Sequence, residues 1–315
     1  MNRNNSKLNK QIKIVPLKSL IKIKFSRFKK KTLCLLCLIK HDWSKIIIGL
    51  DNGLIQIWNL VIEKCTLNID TNSGPLITMA KMKNNKLVSG SNYSGKVLIK
   101  IWDLVSGNCL YSIIDGNTNM SNVSQICIFN ENNIVSLIQE NFTKSLIKVW
   151  NLETQKSVNS FHCGRESTLL IVINNNQIAI GNIRSIIRII DLNTNRSIAV
   201  LISHKNSITS LLLVSENALV SGSNDTNILL WDLKTYKSVT TLTGHKSYIS
   251  RITKLNNKKI ISGSMDMTIK IWDISSGNCL KTFDGLGETV TNIIKMNERQ
   301  IVTGYNEIKI IGLYK

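Results

Sequence analysis

Apolar and polar positions alternate along most of this chain in short runs, and clusters of turn-forming residues interrupt them at close intervals. Tyr248-Ile249-Ser250-Arg251-Ile252-Thr253 and Thr268-Ile269-Lys270-Ile271-Trp272 are two such runs. Asn256-Asn257-Lys258-Lys259, Met265-Asp266-Met267 and Ser275-Ser276-Gly277-Asn278 separate them from their neighbours. A period of two between turn clusters predicts half-buried β-strands, here short and antiparallel.

The pattern also repeats on a longer scale. Ser221-Gly222-Ser223-Asn224-Asp225 leads into Ile228-Leu229-Leu230-Trp231-Asp232-Leu233, and Ser262-Gly263-Ser264-Met265-Asp266 leads into Ile269-Lys270-Ile271-Trp272-Asp273-Ile274. Trp231 and Trp272 lie 41 residues apart, as do His204 and His245. A repeat of about 40 to 45 residues that contains about four short strands marks one blade of a β-propeller, whose sheets hide their faces only by stacking side by side.

Weaker copies extend the series in both directions. Strands ending Ile57-Trp58-Asn59-Leu60, Ile101-Trp102-Asp103-Leu104 and Val149-Trp150-Asn151-Leu152 close three units before the strong pair. A fourth ends Ile189-Ile190-Asp191-Leu192 without a tryptophan, and the last ends Ile310-Ile311-Gly312-Leu313. This last unit has three strands, whereas Leu20-Ile21-Lys22-Ile23-Lys24-Phe25 reads as a lone strand before the first unit. Strand counting therefore predicts seven blades rather than six or eight, with the early strand completing the last blade and leaving no long open edge.

Gly244-His245, the Ser-Gly-Ser strand, the turn aspartate and the Trp-Asp ending resemble the WD-repeat family of β-propellers. The resemblance implies a hydrogen-bonded structural tetrad in each strong blade: His204, Ser221, Asp225 and Trp231, then His245, Ser262, Asp266 and Trp272. It also implies a binding face built from the loops between blades and the tight turns. Residues one before the turn acid there are Leu50, Asn224, Met265 and Tyr305; Ser207, Thr209, Tyr248, Ser250, Thr289 and Thr291 stand at inner-strand starts. At the histidine position the weaker repeats have Asn117, Cys163 or Gly287 nearby, and Ser94, Asn182 and Asn306 replace the turn acid.

Composition changes this picture in one place. Forty Lys and Arg against twenty Asp and Glu give a formal charge of +20, and twelve of those basic residues, with no acidic one, fall in residues 1–41. Lys and Asn abound throughout, so only the local cluster is informative. Residues 1–11 lack periodicity and read as a disordered basic leader, with the propeller over 12–315. Arg27, Phe28, Lys29, Lys30 and Lys31 follow the early strand and would join the binding face as a loop able to meet an acidic or phosphorylated partner.

Candidate chemistry is sparse. Seven scattered cysteines read as reduced thiols. The CxxC spacing of Cys34 and Cys37 sends the two side chains to opposite faces of a strand and has no second pair. Gly90-Ser91-Asn92-Tyr93-Ser94-Gly95-Lys96 has the spacing of a nucleotide loop, but Val97 stands where a metal-binding hydroxyl is needed and a strand, not a helix, follows. No cofactor or metal site and no catalytic set is expected.

The expected function is a non-catalytic scaffold or adaptor, monomeric within a complex, that holds protein or peptide partners through Arg27, Lys29, Lys30, Lys31, Ser207, Asn224, Tyr248, Met265 and Tyr305. A second reading is a basic propeller that binds RNA or anionic membrane through the early cluster. A third is a substrate-receptor-like subunit of a ubiquitin ligase, since repeats five and six are worded similarly to such receptors; Asn224, Met265, Ser250 and Thr209 stand where phosphodegron readers carry arginines. The apolar residues form no run long enough to span a membrane, and a cytoplasmic location, with nuclear as an option, is expected.

Overall fold

The computed structural model describes residues 21–23, 35–42, 44–115, 121–140, 144–304 and 308–313. They form seven four-stranded antiparallel sheets. Six of the sheets follow chain order, over 35–70, 76–115, 121–164, 167–202, 208–242 and 249–283. In each blade strand a is innermost and strands b, c and d follow outward. The sixth blade shows the plan: Ile249–Lys254, Lys259–Ser264, Ile269–Asp273 and Cys279–Phe283.

The seventh blade breaks chain order and closes the ring. Its strands a to c are Asn292–Asn297, Gln300–Gly304 and Ile308–Gly312, and its strand d is Ile21–Ile23 from the other end of the chain. Ile21 pairs with Ile310, Lys22 with Lys309 and Ile23 with Ile308, the register that strand counting requires. Outermost backbone groups of blade seven thus find a ladder partner, and the first and last blades are fastened together. The loop that carries Arg27, Lys29, Lys30 and Lys31 lies outside the described residues, as do the leader over 1–11 and Tyr305.

The apolar alternation does the packing. Each blade turns one apolar face to the blade before it and one to the blade after, and seven buried clusters fill the seven gaps. In the gap between blades seven and one, Met296 and Val302 meet Ile46, Ile48 and Leu50. Glycine is demanded where strand b meets the next blade's strand a. A Cβ on Gly263 would lie 2.4 Å from Val290 Cγ1, and one on Gly222 2.5 Å from Ile249 Cγ2. Both distances are below any carbon contact, so the close approach of neighbouring blades selects glycine.

Strand a carries a one-residue bulge at the same register in six blades, as between Ile249 and Arg251. A bulge sharpens the right-handed twist of the strand and re-aims the side chains beside it. Strands alternate in direction, so the d–a loops and b–c turns gather on one face of the ring, called upper here. The a–b and c–d turns gather on the lower face.

Candidate functional site

In blades five and six the tetrad residues meet. His204 Nε2 is 2.7 Å from Ser221 Oγ, His204 Nδ1 is 2.8 Å from Asp225 Oδ2, and Trp231 Nε1 donates to Ser221 Oγ at 2.7 Å. His245, Ser262, Asp266 and Trp272 repeat the same distances. The indole N–H can only donate, so Ser Oγ accepts it and turns its own proton to Nε2, while Nδ1–H donates to the carboxylate. This proton order requires a neutral imidazole.

The electrostatics agree. Burial holds the His204 and His245 imidazoles below their ordinary value, against the carboxylates that would raise them. Burial pushes the Asp225 carboxyl up, yet the amides of Lys205 and Asn227 and the His204 ring outweigh it and leave it lowered. At Asp266 burial is outweighed by the Thr268 hydroxyl, the Lys246 amide and His245, and the pKa falls to about 2. These acids hold b–c turns in which Thr226 and Met267 take φ of 73° and 64°, a left-handed conformation costly for side chains with a Cβ.

Ser, His and Asp at these distances have the connectivity of a nucleophilic triad. Ser221 and Ser262 are 0% exposed, however, and each oxygen is filled by an indole donor and an imidazole. A substrate has no route to Oγ. Burial likewise pushes the Cys127 thiol up to about 12 and Cys163 up to about 11, which makes both poor nucleophiles. Among the described residues no group of three or more His, Cys, Asp and Glu could hold a metal, and no helix is long and apolar enough to cross a membrane. Gly90 to Lys96 forms a b–c hairpin, with Ser94 and Gly95 at positive φ between paired strands.

Blades two, three, four and seven set a cation against the same region. Two residues before the tryptophan position, strand c carries Lys100, Lys148, Arg188 and Lys309. Lys100 Nζ donates to Thr71 O at 2.6 Å, and Lys148 pairs with Asp115 at 2.6 Å. Lys309 donates to Leu286 O at 2.5 Å and pairs with Glu288 at 2.7 Å. Arg188 packs beside Gly164, where a Cβ would lie 2.5 Å from its Nη1. Each cation reaches the d–a loop that enters its blade or the end of strand d just before it, the region from which His204 and His245 act in blades five and six. The Lys100 and Lys148 ammoniums also stand 5.6 and 5.5 Å from the Trp102 and Trp150 ring centres. Ser89 and Ser136 still accept the Trp102 and Trp150 indoles, at 2.8 Å each. In blade one Ile48 holds the serine register, and Gln56 Oε1 accepts the Trp58 indole instead.

On the upper face, four of the expected binding residues come together in pairs. The Asn224 amide donates to Ser207 O at 2.9 Å, and the Met265 amide donates to Tyr248 O at 3.0 Å. Each b–c turn is thereby joined to the d–a loop beside it. Tyr248, Met265 and Met267 are 50%, 41% and 48% exposed. Ser207 Oγ donates to Ile183 O of blade four at 2.7 Å, and Ile183 is itself exposed. Ser250 and Thr291 are engaged inward, to Gly263 O at 2.9 Å and Gly304 O at 2.8 Å.

Two expected positions change. Leu50 is buried between blades one and seven, because it pairs with Leu35 as Ser264 pairs with Ile249 and so stands one place inside the turn. Asn182 likewise takes the register of Ser223, from which its Oδ1 accepts the Arg184 and Ile186 amides and shapes the turn.

The family model of the WD domain, G-beta repeat, matches residues 195–232 and 236–273. Each match begins at the outer strand of one blade and runs through strands a to c of the next, so the sequence unit is offset from the blade by one strand. That offset is what the pairing of Ile21–Ile23 with the last blade repairs. No curated protein matches the chain.

Proposed function

Given that the chain is a WD-repeat β-propeller, we propose that it is a non-catalytic scaffold that holds a protein or peptide partner on its upper face. The observation that carries this reading is the exposed cluster of Tyr248, Met265 and Met267 on blade six, fixed by the Met265–Tyr248 backbone bond and continued over blade five by Asn224 and Ser207. Large aromatic and thioether side chains on a rigid base give contact area at small entropic cost, and such residues anchor protein interfaces. The tetrads beneath them supply the rigidity. The basic residues Arg27 and Lys29 to Lys31 would extend the same face toward an acidic partner.

Affinity capture with the full chain tests the reading. Tyr248→Asp combined with Met265→Asp should reduce recovery of a specific partner by tenfold or more, whereas Val158→Asp on the outer wall should not. Recovery that survives between about 50 and 300 mM salt fits an apolar interface, whereas binding dominated by nucleic-acid or lipid phosphates falls steeply over such a range. Equal recovery by both variants would refute the assignment.

A further inference from the structure

The lower face holds a second feature, and the upper-face scaffold does not explain it. Near the end of strand a, Lys40, Lys81, Lys254 and Lys295 occupy one register on four consecutive blades, two, one, seven and six in ring order. The same register on blades three, four and five is held by Ile128, Val172 and Leu213. Inner strands converge on the axis, so this register circles the lower mouth of the central channel. Four cations line one arc of that mouth and three apolar residues line the other.

Each lysine crosses to the blade before it. Lys40 Nζ donates to Met296 O at 2.5 Å and Lys254 Nζ to Val214 O at 2.6 Å, while Lys81 and Lys295 reach His41 O and Leu255 O. An ammonium has three donors, so each lysine keeps capacity beyond that bond. The fold does not require the charge, because three blades seat at this register with Ile, Val or Leu. Four like charges in one arc repel one another unless an anion is shared among them.

Nearby carboxylates do not supply that anion. Glu298 pairs with Lys295 alone, and Asp42 is occupied by the Ser44 and Lys45 amides. Arg251, three residues up strand a from Lys254, is exposed, and among the described residues it has no ion pair. An exposed side chain in the middle of an innermost strand has the channel to face. At the rim, Lys254, Leu255, Asn256, Asn257, Lys295 and Glu298 enclose a depression of about 400 Å³.

We propose that the lower mouth of the channel is a binding site for a small polyphosphate, seated on Lys254 and Lys295 and reached by Lys40, Lys81 and Arg251. The asparagine amides of the a–b turn add neutral donors for phosphate oxygens. An anion there joins blades six, seven, one and two, the blades that flank the closure of the ring, and so stabilises the closed form by mass action.

The probe is inorganic tripolyphosphate, titrated into the full chain at about 150 mM salt by calorimetry, with thermal unfolding in parallel. The native chain should bind it saturably at one site and melt at a higher temperature in its presence. Lys254→Met with Lys295→Met should weaken binding tenfold or more, while Lys205→Met with Lys246→Met, which removes equal charge from exposed d–a loops on the upper face, should change it less than twofold. Arg251→Gln removes a side chain that makes no described bond in the fold and should weaken binding at least threefold, which keeps the test valid if the double variant misfolds. Absence of saturable binding, or equal losses in the two double variants, overturns the proposal. So does a uridine oligonucleotide that binds more tightly than tripolyphosphate, since that would make the arc an RNA surface.

Discussion

Blades five and six hold their entry loops with a neutral chain of hydrogen bonds, whereas blades two, three and seven hold theirs with a cation. In the first pair a histidine descends from the loop to a serine already engaged by tryptophan, and an aspartate steadies it. In the others a lysine rises from strand c to a loop carbonyl or carboxylate. The same ring geometry is thus reached by two chemistries. A neutral network is specific in its protons and costly to leave half-satisfied; a cation tie tolerates variation in its acceptor but depends on charge.

The largest difference should appear when the serine is removed. Ser262→Ala strips two buried groups of their partner, the Trp272 indole N–H and His245 Nε2, and should cost about 3 kcal/mol of stability. Ser136→Ala in blade three orphans the Trp150 indole and should cost about 1.5 kcal/mol. Urea unfolding of the two variants measures the gap, and equal losses would show that the histidine adds nothing to the network.

Next in size is Lys309→Met in the closing blade. Lys309 is 6% exposed, and its loss leaves the partly buried Glu288 and the Leu286 carbonyl without their donor, for about 2 kcal/mol. Adding Glu288→Leu should restore part of that loss, because the uncompensated carboxylate accounts for much of it. A double variant no more stable than the single one would break the account.

How much of this contrast the sequence discloses depends on what repeats. The seven blades and their closure were legible because the 41-residue period, the Trp-ended strands and the orphan strand at Ile21 all constrain one count. The tetrad sets were legible because His204 and His245 sit at equal offsets from their serines. The cation ties were not. A lysine stands two before tryptophan in blade six as well, yet Lys270 turns outward to Thr282 Oγ1 at 2.9 Å, because the inward place is taken by His245. Residue type at that register cannot say which way the side chain goes; the occupancy of the loop across from it decides. Leu50 and Asn182 differ from expectation for a related reason: their turns have the same length as those of blades five and six, but the polar residue that resembles the turn acid stands earlier in the turn, so counting from it assigns the wrong register.

Acid should separate the two kinds of blade. The folded pKa values of His204 and His245 lie below the ordinary value, so as pH falls below about 6.5 the unfolded chain takes up protons first and stability declines. A second decline follows below about 4, where Asp225, lowered in the fold, and Asp266, lowered to about 2, lose their charge. Urea midpoints measured from pH 8 to 5 should fall in the native chain, and the slope should flatten when His204 and His245 are replaced by Asn. Amide exchange at pH 5 should open blades five and six before blades two and three, and the reverse order would contradict the neutral-imidazole assignment.

The smallest effect divides one cation tie from a look-alike. Lys148–Asp115 and Lys83–Glu131 are both lysine–carboxylate pairs, at 2.6 and 2.7 Å, but the first has side chains 19% and 24% exposed and the second 79% and 75%. Water and salt screen the exposed pair, and holding two long side chains in one geometry offsets what attraction remains. Lys83→Ala should therefore leave the urea midpoint within its reproducibility at any salt concentration. Lys148→Met should lower it measurably, and about 0.5 M salt should remove little of the loss, because the Trp150 ring and the blade-two loop keep counterions away from that ammonium. If the two substitutions behave alike, the charge on strand c is only another surface charge, and packing alone holds blade three.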